Sequence, residues 1–121
     1  EQAERAGFSV FHGDLAEARY PNHYFDVVIA SEIVEHLPEP QKLFDEAARI
    51  LRPGGLFWAT TPSGRGLSYR LMGVHWSVIS PPEHIQLFSK KGMLQMLKTA
   101  GFSDIKLKTQ GTNPLEIINY Y

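Results

Sequence analysis

Four apolar residues stand in unbroken succession, Val27, Val28, Ile29 and Ala30, between Phe25-Asp26 and Ser31. Such a run predicts a strand covered on both faces of a parallel sheet, because a strand wetted on one face alternates apolar with polar positions. After Pro40 the period changes. Leu43, Phe44, Ala47, Ala48, Ile50 and Leu51 fall on one stripe of a helix, with Gln41, Lys42, Asp45, Glu46 and Arg49 on the other side. Arg52-Pro53-Gly54-Gly55 stops that helix, since proline cannot continue the hydrogen-bond ladder and Gly54 suits the positive φ at the third position of a type II turn. Residues 56–61 read as a second strand, ended by Pro62.

The flanks carry weaker patterns. Residues 8–12, between Gly7 and Gly13-Asp14, read as a short strand. Ser89 is a predicted N-cap for a helix over 90–99, with Met93, Leu94 and Leu97 inward and Ala100-Gly101 closing it. Residues 102–109 supply a last strand, with alternation at Ile105 and Leu107, and Trp58 on the second strand reads as core. Strand and helix alternating in this way predict α/β layering with right-handed crossovers. Glu32, Glu35 and His36 then stand at the end of the buried strand, where open α/β sheets bind their ligands.

Composition narrows the function classes. The 121 residues make at most one domain, and 43% hydrophobic with 21% charged residues is ordinary for a globular chain. Twelve basic against thirteen acidic residues give a net charge of -1, so no nucleic-acid partner is expected. The absence of cysteine excludes disulfides and thiolate metal sites. No apolar run reaches the roughly 18 residues of a membrane span and no signal-peptide pattern opens the chain, so a cytoplasmic location is expected.

Taken in order, Gly13-Asp14, Phe25-Asp26-Val27-Val28, Glu32-Ile33-Val34-Glu35-His36-Leu37, Leu51-Arg52-Pro53-Gly54-Gly55, Pro62 and Ala100-Gly101-Phe102 resemble the later half of class I S-adenosylmethionine-dependent methyltransferases. The Glu-x-x-Glu-His run is most similar to the O-methyltransferases of ubiquinone biosynthesis and their bacterial relatives. The family opens with a strand, a Gly-x-Gly-x-Gly turn and a helix, then a second strand whose acidic residue holds the ribose; these 121 residues contain none of them. The resemblance therefore implies one partial domain over 1–121. Its fold class is α/β, a partial Rossmann-like sheet of the family's third to sixth strands flanked by helices, without the N-terminal glycine-loop half. The chain alone is then expected to bind S-adenosylmethionine weakly or not at all, and to be inactive alone. In the family's sheet order the Val27 strand lies beside the missing first strand, leaving a bare edge that invites pairing. A homodimer through that edge, or the 8–12 strand moving in beside Val27, is the expected remedy.

The resemblance also implies roles. Asp14, with Leu15 beside it, takes the place of the carboxylate at the adenine amino group; Asp14 closing a Gly-Asp turn is the plainer reading. Ala30, Ser31 and Glu32 fall beside the methionine portion of the cofactor, with Ser31 as a cap the alternative. Glu32, Glu35 and His36 stand at i, i+3 and i+4, so one helical turn would put them on one face. Two carboxylates and an imidazole suit Mg²⁺, Mn²⁺ or Zn²⁺. Some relatives, the ubiquinone O-methyltransferases and small-RNA 2′-O-methyltransferases among them, hold a metal with such a run and a later histidine, here His84. Without metal, His36 is the expected base, with Glu35 beside it, because an imidazole titrates near neutrality.

Three further readings remain. Residues 64–79 hold Leu67, Tyr69, Leu71, Met72, Val74, Trp76 and Val78, the composition of an acceptor pocket for a hydrophobic small molecule, of a membrane-surface contact, or of a helix folding onto the core. A zinc-peptidase reading fails because Glu32 occupies the place of the first histidine of His-x-x-Glu-His. A nicotinamide-dependent reductase lacks its Gly-x-Gly-x-x-Gly, and a non-catalytic scaffold with a degenerate methyltransferase fold is the remaining alternative. His12, His23 and His75 read as structural.

Overall fold

The computed structural model of the chain describes residues 2–64, 70–71, 73 and 84–109. Its framework is a pair of parallel strands, β1 (Phe25–Ser31) and β2 (Leu51–Thr60), joined through a 3₁₀ turn (Val34–His36) and helix α2 (Pro40–Ile50). A short helix α1 (Gln2–Arg5) precedes them and helix α3 (Lys90–Thr99) follows. Val27, Val28, Ile29, Ala30 and Ser31 pair in step with Leu56, Phe57, Trp58, Ala59 and Thr60. Phe25 pairs with Leu51, so Asp26 faces four residues, Arg52 to Gly55, that bulge out of register. Hence β2 begins five residues before the expected strand. Gly54 takes its expected positive φ of 79° within that bulge.

Helices α2 and α3 form for local reasons. Pro40 occupies the first turn of α2, where its missing N–H costs nothing. Pro40, Phe44, Ala47 and Ile50 make the buried stripe. The α3 N-terminus is capped as expected, Ser89 Oγ accepting from the Gly92 N–H at 3.1 Å. At its other end Gly101, at φ 94°, donates to the Lys98 carbonyl and Phe102 to that of Leu97, a Schellman closure.

Among the described residues the core lies on one face of the sheet. Val34, Phe44, Met93 and Leu97 are buried together, with Phe57, Phe102, Ile105 and Leu107 packed on them. Phe44 meets Phe57 edge-on at 5.8 Å between centroids. The opposite face carries Val27 paired with Leu56 and Ile29 paired with Trp58, all exposed, Ile29 at 66%. The expectations of a strand covered on both faces and of a core Trp58 are therefore corrected: the run is long enough for two-sided burial, but the described residues supply helices to one side.

Two expected strands are also absent. Residues 8–12 have no ladder, and among the described residues β1 pairs only with β2; the Phe8 N–H turns back to the Ala3 carbonyl at 3.0 Å and its ring is 69% exposed. This segment does not move in beside Val27. Residues 102–109 keep the inward direction of Phe102, Ile105 and Leu107 but find no strand to pair with among the described residues. Of the four family strands expected, the two central ones are formed.

The entry to β1 is tied to the end of α2. Arg49 donates to Glu46, to the Tyr20 carbonyl at 2.7 Å and to Asn22 Oδ1, while the His23 and Tyr24 N–H groups donate to the Arg49 and Ile50 carbonyls. The hydrogen bond from Arg49 holds the Glu46 carboxyl below its ordinary range, against the opposing effect of burial. His23 has the structural role expected of it, its Nδ1 lying 3.0 Å from the Leu51 carbonyl.

Candidate functional site

The chemistry collects where β1 ends. Ser31 is the last strand residue, its hydroxyl 3.1 Å from that of Thr60 on β2. Glu32 then turns the chain at φ 48°, its N–H donating to the Thr60 carbonyl and hydroxyl. The 3₁₀ turn that follows is held to three residues. Pro38 disfavours helical backbone at Leu37, which is extended at φ -86°, ψ 130°.

The backbone on both sides of the turn decides which residues meet, since Glu32 is left-handed and the turn begins only at Val34. Glu32 lies outside the turn and does not share a helical face with Glu35 and His36, so the expected carboxylate pair is corrected. Glu35, His36 and His84 do converge: one ligand atom from each lies within 4.8 Å of the others. The His36 and His84 rings stand 4.7 Å apart between centroids, and Glu35 Oε1 is 3.9 Å from His36 Nε2. Glu35 is fully buried, whereas the His36 side chain is 40% exposed. The site thus has a dry wall and an open mouth.

Glu35 is held by one oxygen. Thr61 Oγ1 donates to its Oε2 at 2.9 Å, while Oε1 is buried with no hydrogen-bond partner among the described residues. Taking a carboxylate out of water costs several kcal/mol unless something compensates it. An orphaned oxygen beside two imidazoles is a donor set that fits a divalent cation. Thr61 also borders a small open cavity of about 80 Å³ with Ser63, Phe88, Lys90, Met93 and Leu107.

The remaining expected residues sit elsewhere. Ala30 is buried beneath the end of β1. Asp14 opens a turn, its N–H donating to Glu17 Oε2 at 2.8 Å and its carbonyl accepting from Glu17 and Ala18; Leu15 is half-buried beside it. No hydrogen bond among the described residues joins that turn to the end of β1. Most of the proposed acceptor segment, residues 65–69, 72 and 74–79, lies outside the described residues, as does His75; Leu71 is exposed. Thr61 and Gln86 were not anticipated. Their only signals were a hydroxyl at the end of a strand and a polar residue two positions after a histidine.

A family described as a methyltransferase domain matches residues 1–107. A rice 2-methyl-6-phytyl-1,4-hydroquinone methyltransferase is 29% identical over 112 residues, covering 92% of this chain and 30% of that protein. The ubiquinone biosynthesis O-methyltransferase of Idiomarina loihiensis is 28% identical over 99 residues, covering 76% and 40%. Among solved structures, a methyltransferase of Thermotoga maritima superposes with a TM-score of 0.71 at 20% identity over 84% of this chain and 49% of that one. One of Archaeoglobus fulgidus gives 0.68 at 22% identity over 95% and 58%. The chain spans about a third of the length of the first curated relatives it matches. Among the described residues, no helix is long and apolar enough to cross a membrane.

Proposed function

Because the chain belongs to the class I S-adenosylmethionine-dependent methyltransferases, we propose that its Glu35–His36–His84 cluster receives the acceptor hydroxyl in a methyl transfer to oxygen. The observation that carries this reading is the convergence of a buried carboxylate and two imidazoles at the carboxyl end of β1. An oxygen nucleophile must shed a proton as it attacks, and such a cluster is suited to take it. The acceptor oxygen forms a bond to the methyl carbon, the carbon–sulfur bond breaks with its electrons passing to sulfur, and S-adenosylhomocysteine leaves.

The sulfonium already carries its leaving group, so the protein's tasks are alignment, proton removal and exclusion of water. His36, at the open mouth, takes the acceptor proton. Glu35, held by Thr61, keeps a carboxylate oxygen beside the imidazole that becomes positive. Glu35, His36 and His84 are the residues that would hold a divalent cation; when bound, it would supply a Lewis acid that acidifies the hydroxyl. The acceptor reading is a hydrophobic small molecule with an aromatic or allylic hydroxyl, supported by the ubiquinone-pathway relatives and the apolar side of the cavity bounded by Phe88, Met93 and Leu107.

The test supplies labelled S-adenosylmethionine to the gene product that carries these residues, with a catechol, an aromatic amine and a thiol in parallel. Label on the catechol oxygen is expected. Label confined to nitrogen or sulfur would overturn the reading, and activity unchanged under excess EDTA would remove the metal while leaving His36 as base.

A further inference from the structure

The cluster depends on a segment that enters from far along the chain. His84 lies 48 residues after His36. Two clamps hold the strip that follows it against the 3₁₀ turn. The Ile85 and Gln86 N–H groups both donate to the Glu35 carbonyl, at 3.1 and 3.2 Å. The Gln86 side chain then reaches across the turn, its Nε2 donating to the Leu37 carbonyl at 2.7 Å and to the Pro38 carbonyl at 3.2 Å. Further on, Ser63 bridges Phe88 and the Gly64 N–H donates to the Phe88 carbonyl at 3.0 Å, so the strip is pinned at both ends.

Resting on the cluster proposed above, we infer that Gln86 is its positioning residue, setting His84 against His36 and Glu35. The chemistry leaves little freedom. Both partners are carbonyl oxygens, so only the NH₂ end of the carboxamide can face them. Pro38 is what makes these carbonyls available. By ending the 3₁₀ turn at His36 and forcing Leu37 to be extended, it turns carbonyls that a continuing helix would use toward a side-chain donor. Gln86 thus joins the place where the turn stops to the place where His84 begins. Partners behind ligand-type residues commonly set affinity 10- to 100-fold.

The experiment compares wild type with Gln86→Met, which keeps length without a donor, and Gln86→Lys, which keeps a donor. The first readout needs neither metal nor activity: nuclear Overhauser contacts between the His36 and His84 ring protons in the metal-free chain. They are expected in wild type and Gln86→Lys and weakened in Gln86→Met, which keeps only the backbone clamp on the Glu35 carbonyl. Contacts as strong in Gln86→Met as in wild type, or absent from wild type, overturn the inference. If Gln86→Met does not fold, the wild-type carboxamide protons decide: slow exchange and contacts to Leu37 and Pro38 support the clamp, and exchange as fast as a free glutamine overturns it. The second readout is Co²⁺ binding followed by visible absorption, with about 10-fold or greater weakening expected in Gln86→Met. Should wild type bind no Co²⁺ while the ring contacts still depend on Gln86, the metal reading falls and the positioning role stands. Equal Co²⁺ affinity in wild type and Gln86→Met, with His84→Ala weakened, contradicts the positioning role alone.

Discussion

The hydroxyl of Thr61 donates to Oε2 of the buried Glu35 carboxylate at 2.9 Å, joining the residue just past β2 to the 3₁₀ turn after β1. That bond spends one carboxylate oxygen on the scaffold and turns the other toward the imidazoles. Thr61→Val keeps the shape and removes the donor. A loss of about 1–3 kcal/mol is expected in urea unfolding, the cost of leaving a buried acceptor unmet. A midpoint equal to wild type would show that the bond contributes nothing.

The two faces of the sheet predict opposite responses to truncation. Phe44→Ala removes a fully buried ring between α2 and β2 and is expected to cost about 3–5 kcal/mol. Ile29→Ala, on the exposed face, is expected to change stability by no more than about 0.5 kcal/mol. Paired urea titrations check both. A large cost at Ile29 would mean that this face is covered in solution, and light scattering on the same sample would show whether a second copy covers it.

Stability should respond to acid through Glu46. Its hydrogen bond from Arg49 holds the folded carboxyl below its ordinary value of 4.5, so the unfolded chain takes up the proton more readily. The contribution is therefore full above that value and is lost as pH falls through the lowered folded value. Glu46→Gln should be less stable than wild type at pH 7, and the gap should narrow toward pH 3. A gap that is the same at both pH values would contradict this.

What was legible in the sequence was what short stretches decide. The apolar run of β1, the stripe of α2, the Ser89 cap and the positive φ of Gly54 each follow from residues within a turn or two of one another. Glu32 was misplaced because its i, i+3, i+4 spacing presumes a helix, whereas Glu32 itself takes a positive φ of 48° and the 3₁₀ turn begins only at Val34. Strands over 8–12 and 102–109 failed for a different reason. A strand needs a neighbour, and apolar alternation at Ile105 and Leu107 reports direction without supplying one. The outward exposure of Ile29 and Trp58 is likewise a property of what packs on the sheet. Thr61 and Gln86 act across 26 and 49 residues of sequence, so their roles became visible only once the fold brought them to the turn.

The central claim is that His36 and His84 serve one methyl-transfer site, and kcat for transfer from S-adenosylmethionine to a catechol tests it most directly. Wild type, His36→Ala and His84→Ala would be compared in the gene product that carries these residues, with thermal unfolding as the control for folding. The account predicts a loss of about 10²-fold or more for His36→Ala, the scale of a removed general base, and a loss in the same direction for His84→Ala. Both variants folded and within about twofold of wild type in kcat would contradict it.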